Sequence, residues 1–112
     1  MLIAATLARG TTALHGYAER NGKGLGGAMV FLVPRDPARH DLYRRDQTST
    51  DGSFTLNRVI PGDYTVVAIE NGWTLDWGRP EVLAPYAAGG IRVRVTGQRT
   101  LDLPTYVEVQ PR

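Results

Sequence analysis

Thr50-Asp51-Gly52-Ser53-Phe54-Thr55-Leu56 and, shortly after it, Val59-Ile60-Pro61-Gly62-Asp63-Tyr64-Thr65-Val66 are the stretches that decide the fold. Each is a turn pair followed at once by residues that alternate between apolar and polar. Glycine reaches positive φ without steric cost, so Asp51-Gly52 closes a hairpin and sends Phe54 and Leu56 to one face. Pro61-Gly62 is a candidate type II turn, and Tyr64 opens the next strand with its ring inward.

The same period of two extends outward in both directions. Ile91-Arg92-Val93-Arg94-Val95-Thr96 alternates without a miss, as a half-buried antiparallel strand does. Ala28-Met29-Val30-Phe31-Leu32-Val33 is apolar throughout, the pattern of a central strand covered on both faces. Asn21-Gly22, Asn71-Gly72, Gly89-Gly90 and Thr96-Gly97 supply further turns. The expected strands are residues 2–8, 12–19, 27–34, 44–50, 53–59, 63–70, 91–96, 99–103 and 105–110. Short strands at intervals of about ten residues predict an all-β, seven- to nine-stranded Greek-key β-sandwich. One segment departs from this: Pro80 and Glu81 suit the start of a helix, Gly89 its end, and Pro85 limits it to one short helical turn near residues 80–87.

With 112 residues the chain has room for one domain and a two-layer core. Its 13 Lys+Arg and 11 Asp+Glu leave a net charge of +2, and the cations are interspersed with acids, so no nucleic-acid partner is expected. Zero cysteine excludes disulfides, thiolate metal sites and a cysteine nucleophile. No run approaches the roughly 20 apolar residues of a membrane span. Residues 1–8 are apolar but short and lack a positively charged lead, so a first strand with Arg9-Gly10 as its turn is expected rather than a signal peptide. A chain that starts inside a strand reads as a domain of a longer protein.

Leu14-His15-Gly16-Tyr17, Gly24-Leu25-Gly26-Gly27-Ala28-Met29-Val30 and the two decisive stretches follow one another in a specific order over residues 14–70. This order resembles the carboxypeptidase regulatory-like domain family, whose fold is a transthyretin-like (prealbumin-like) β-sandwich. Residues 71–103, with Trp77, Pro80-Glu81-Val82-Leu83 and Arg92–Val95, look like the C-terminal portion of such domains in bacterial envelope proteins. The resemblance implies no peptidase activity, since the zinc of the carboxypeptidases belongs to a neighbouring domain. It implies a single module, 1–112, of a periplasmic, outer-membrane-associated or secreted protein. Its partners would be other domains of the parent or another envelope protein.

Little in the sequence points to catalysis. His15 and His40, the only histidines, have neither a His-x-x-x-His nor a His-x-x-Glu spacing. Asp36, His40, Asp41 and Asp46 do not match a calcium loop. Ser49 and Ser53 flank a turn rather than a nucleophile elbow. The five tyrosines lack the iron-binding pattern of intradiol dioxygenases, and the chain lacks the Tyr-Arg-Gly-Ser tail of transthyretin-like hydrolases. Lys23, the single lysine, falls in an expected exposed turn, unlike a lysine that forms a buried isopeptide. No enzyme activity, cofactor or metal is expected. The expected role is a non-catalytic structural or interaction module, with contacts through end loops or an edge strand.

The alternative is a carbohydrate-binding module that stacks polysaccharide on Trp73, Trp77 and Tyr86, with Asp76 and Arg79 as hydrogen-bonding partners. Against it stands the simpler expectation that these large rings pack at the rim of a small sandwich.

Overall fold

The computed structural model describes residues 11–77 and 79–111. The strand expected at residues 2–8 lies outside them. Nine strands are present among the described residues: β1 (Thr12–Arg20), β2 (Lys23–Gly24), β3 (Met29–Pro34), β4 (Arg44–Gln47), β5 (Ser53–Val59), β6 (Gly62–Ile69), β7 (Ile91–Val95), β8 (Thr100–Asp102) and β9 (Val107–Gln110). They form two layers, so the expected all-β sandwich is what the chain adopts. In one layer β1 pairs with β5 and β8; in the other the order is β4-β3-β6-β7. β9 runs parallel to both β1 and β6, opposing Val107 to Ala18 and Val109 to Ala68, and so stitches the layers together along one side. Near the opposite side the Thr55 N–H on β5 donates to the Asp46 carboxylate on β4 at 2.9 Å.

Between the layers lies a core of Leu14, Val30, Leu32, Leu56, Val66 and Val107, all fully buried, supplied by alternate residues of their strands. A second core forms on the outer face of β3 and β6. There Phe31, Val67 and Ile69 pack with Tyr43 and Leu83. The continuous apolar run of β3 therefore serves two cores, as its composition predicts. The cover for the outer face is the connection from β6 to β7. It contains a 3₁₀ turn at Gly72–Thr74, the helix α1 (Pro80–Leu83) and a 3₁₀ stretch at Ala84–Gly89. Pro85 lies just where the α geometry gives way to 3₁₀, and Gly89 ends the element, as expected from the sequence.

Three local differences have clear causes. Gly62 has φ +158°, far from the +80° or so of a type II turn, so Pro61-Gly62 feeds β6 directly instead of turning. Tyr64 still points inward, and its hydroxyl donates to the Ile60 carbonyl. The strand expected at 44–50 stops at Gln47 because its partner β3 begins opposite, at Met29. Beyond it the Thr48 N–H still donates to the Ala28 carbonyl at 2.9 Å, and the Thr48 hydroxyl donates to the Leu25 carbonyl at 2.6 Å and accepts from the Ala28 N–H at 3.0 Å. Asn21 and Gly22, both at positive φ (55° and 81°), make the tight turn that creates the unexpected two-residue β2.

Candidate functional site

The tryptophan-bearing connection starts at Asn71, which adopts the left-handed conformation, and Gly72, which lies flat on the sheet. A Cβ on Gly72 would stand 3.1 Å from Ile69 Cβ and 3.2 Å from Met29 Cβ, so a small residue here lets the connection dock closely. Trp73 follows on the solvent side and is 59% exposed, and no ring stacks on it among the described residues. Trp77 turns the other way. It packs against the outer core with its ring 6.2 Å from Tyr43, and the Arg45 guanidinium lies 4.9 Å above it in a cation–π contact. Tyr43 in turn stacks on His40 at 6.1 Å and is buried, which pushes its phenol pKa upward.

Tyr86 is half-buried against the same core, and its carbonyl accepts from the Gln110 side chain at 2.8 Å. Asp76 is exposed, with its carbonyl holding the Arg79 N–H at 3.1 Å. The Arg79 guanidinium is turned to Glu81, at 2.9 Å. The five residues singled out from the sequence thus share one connection, but their side chains have diverged. Only Trp73 presents a large open ring surface; Trp77 and Tyr86 support the outer core. The connection also lies over a sheet face rather than at a sandwich end, because the doubly apolar β3 requires a cover there.

A second aromatic pair escaped the sequence reading. Tyr17 on β1 and Tyr106, just before β9, are 50% and 57% exposed, with ring centroids 6.3 Å apart and edge-to-face. Alternation along β1 already implies that Tyr17 faces outward. Its partner is set by the parallel pairing of β9 with β1, which has no signature in either strand.

The covering connection ends short of β7 and leaves a cleft of about 650 Å³ on the outer face. Val33 and Thr65 contribute to its base, and Ala84 and Ala87 of the 3₁₀ stretch line it too. Arg35, Asp63, Arg92 and Arg94 supply its charge. The Arg94 Nε donates to the Asp63 carboxylate at 2.9 Å, and Arg35 approaches the other oxygen at 3.6 Å. The hydrogen bond from Arg94 holds the Asp63 carboxyl below its usual range. Arg92 has no ion pair among the described residues. With three guanidinium groups and one carboxylate in its lining, the cleft carries an excess of positive charge.

Metal-ligating groups are not assembled in the same way. His15 Nδ1 is bonded to Thr55 Oγ1 at 3.0 Å across the β1–β5 pair, and His40 is exposed on its loop. Among the described residues no group of three or more His, Asp or Glu side chains is placed to hold a metal ion. Lys23 is exposed, where the sequence places it.

Two solved structures are similar in fold. BcpA, the major pilin subunit of Bacillus cereus, superposes with a TM-score of 0.53 at 11% identity; the match covers 91% of this chain but only 30% of the pilin. PA1324, a Pseudomonas aeruginosa protein with a proposed carbohydrate-binding role, gives a TM-score of 0.51 at 16% identity, covering 98% of this chain and 94% of that one. At these identities the likeness concerns the fold, a prealbumin-like β-sandwich. No curated protein matches the sequence. The profile of the second β-sandwich domain of BOS complex subunit NOMO1-like proteins matches residues 13–85, more than half of the chain. The chain is therefore a member of the NOMO1-like second β-sandwich domain family.

Proposed function

We propose that this domain is a non-catalytic interaction module of the carboxypeptidase regulatory-like kind, carried in an extracellular or membrane-associated protein, and that it works by holding neighbouring domains or subunits. One observation carries this reading: the buried hydroxyls and the turn carboxylate of Asp51 are engaged in structural bonds, whereas large aromatic rings stand open to solvent. Thr48 bridges Leu25 and Ala28, and Asp51 accepts from both the Ser53 N–H and its hydroxyl. The Tyr43 hydroxyl donates to the Pro37 carbonyl. Among the described residues no buried side-chain nitrogen or oxygen lacks a hydrogen bond. Active sites tend to keep such groups strained or unpaired. Among the open groups are Tyr17, Tyr106, Trp73 and Arg92, and Tyr, Trp and Arg are the residue types that dominate protein interfaces. The pilin and the NOMO1-like proteins are both named as subunits, which favours assembly over catalysis.

Photo-crosslinking residues placed at positions 17, 73 and 92 of the protein in its native host test this. A defined protein partner captured from any of them supports the module. Absence of protein partners at all three positions would refute it.

A second reading is favoured by Trp73 and by the role proposed for PA1324: a carbohydrate module. Here Trp73 alone is the stacking face, with Asp76 beside it and Trp77 as a buttress. Tryptophan fluorescence titrated with polysaccharides should respond in the parent and fail to respond in Trp73→Ala. A response that persists without Trp73 ends this alternative.

A further inference from the structure

β7 is hydrogen-bonded to β6 on one side, and among the described residues no strand runs along its other edge. Such an edge exposes main-chain N–H and C=O groups in the spacing of a sheet ladder. Along β7, Ile91, Val93 and Val95 pack on the inter-sheet core, while Arg92 and Arg94 are exposed beside the cleft. Arg94 lies opposite Asp63 and Arg92 opposite Thr65 in the β6–β7 register. Asp63 is shared by Arg94 and Arg35, so among the described residues Arg92 has no carboxylate partner.

We propose that this edge and cleft receive an extended acidic segment of a partner protein, which adds to the sheet as a strand beside β7 with a carboxylate at every second residue. This deepens the module reading and rests on it. Same-face residues of a strand recur about every 6.6–6.8 Å, so carboxylates two residues apart match Arg92 and Arg94 as cross-strand pairs. The intervening residues of the added strand fall beside Ile91 and Val93, both only half-buried, and should be apolar. The cleft of about 650 Å³ gives the acidic side chains room between the new strand and Ala84 and Ala87.

A polyanionic glycan fits less well, since it offers no ladder of amides to the bare edge. Tyr64, the ring nearest the base, is buried rather than open for stacking. A second copy of β7 is disfavoured as well, because antiparallel pairing would set arginines against arginines.

The probe is the peptide acetyl-Glu-Val-Asp-Val-Glu-Thr-amide, titrated into the isotope-labelled chain and followed by amide chemical shifts. The expected result is shifts confined to β7, Arg35 and the cleft. The Gln/Asn version of the peptide should bind about tenfold more weakly or worse, and Arg92→Glu with Arg94→Glu should do likewise. Methylating alternate peptide nitrogens tests the ladder without altering the chain, and should also abolish binding. The proposal is overturned if the neutral peptide binds equally, if the methylated peptide binds unimpaired, or if the shifts map to another face. If the peptide is ignored while position 17 or 73 still crosslinks to a partner, strand addition fails and the module reading survives. If no position reaches a protein partner, the module reading itself fails.

Discussion

The core between the sheets and the core on the outer face of β3 and β6 are built by different rules. The inner core collects every second residue of β1, β3, β5 and β6, so each strand needs only one apolar side to contribute. The outer core requires strands that are apolar on both sides, and a cover that is not a strand at all. Its cover is a connection with two short 3₁₀ segments and one helical turn, held down by Leu83, Leu75, Trp77 and Tyr86. Such a cover need not extend across the whole sheet. It ends before β7, and the charged cleft begins there, beside an edge along which no strand runs among the described residues. The lesson is that a cover built from a loop leaves part of a sheet face free, and the arginine-lined cleft lies on that part.

If the outer core is a true core, Phe31→Ala should destabilise the domain by about 3–5 kcal/mol, comparable to Leu56→Ala between the sheets. Urea denaturation measures both, and a cost for Phe31→Ala below about 1 kcal/mol would reduce the outer cluster to a surface patch. A smaller but more discriminating contrast lies in two glycines. Gly52 has φ +89°, and a Cβ there would stand 2.4 Å from the Ala18 carbonyl oxygen, which is backbone and cannot yield. Gly72 would meet side chains of the outer core at 3.1–3.2 Å. Gly52→Ala should therefore cost well over about 1 kcal/mol and Gly72→Ala less. The reverse order would mean that the outer face is packed more rigidly than the inner one.

At the rim, Arg45→Ala removes the cation over Trp77 and should cost about 0.5–1 kcal/mol. Trp73→Ala should leave the denaturation midpoint unchanged, since its ring is mostly in solvent. The smallest effect is that of pH. Asp51 is held below its usual range first by the Ser53 hydroxyl, and Asp63 by Arg94. A folded-state pKa below the unfolded value means that the stabilisation is present above the ordinary carboxylate range, near 4, and is lost as pH falls through the folded value. The denaturation midpoint should thus drop between pH 5 and pH 2, by a smaller amount in Asp51→Asn with Asp63→Asn. Asp51 is exposed and Asp63 half-buried, and neither belongs to either core, so the drop should leave the contrast between Phe31 and Leu56 intact.

Much of this was legible in the chain itself. Alternation in 53–59, 63–70 and 91–96 marks strands because the side chains of a strand point alternately to opposite faces. The unbroken apolar run of β3 announces a second cover, and Pro80, Pro85 and Gly89 delimit the helical turn within it. The site was read less well. The tryptophans are in one connection, as their spacing implies, but nothing in that spacing distinguishes Trp73 in solvent from Trp77 under Arg45. The Tyr17–Tyr106 pair and the arginine-lined cleft were missed because each joins residues distant in sequence.

Sequence alone determined the local choices: where the chain turns, which face of each strand is apolar, and which strand needs two covers. These follow from backbone sterics and side-chain periodicity, which act over a few residues. Tertiary structure alone decided that β9 runs parallel to β1 and β6, that Gly52 must lie against the Ala18 carbonyl, and that Pro61-Gly62 enters a strand rather than a type II turn. It also decided where the cover ends and which of the cleft's arginines lacks an ion pair among the described residues. Those outcomes depend on which distant surfaces meet, and such meetings are set by the packing of the whole domain rather than by any one segment.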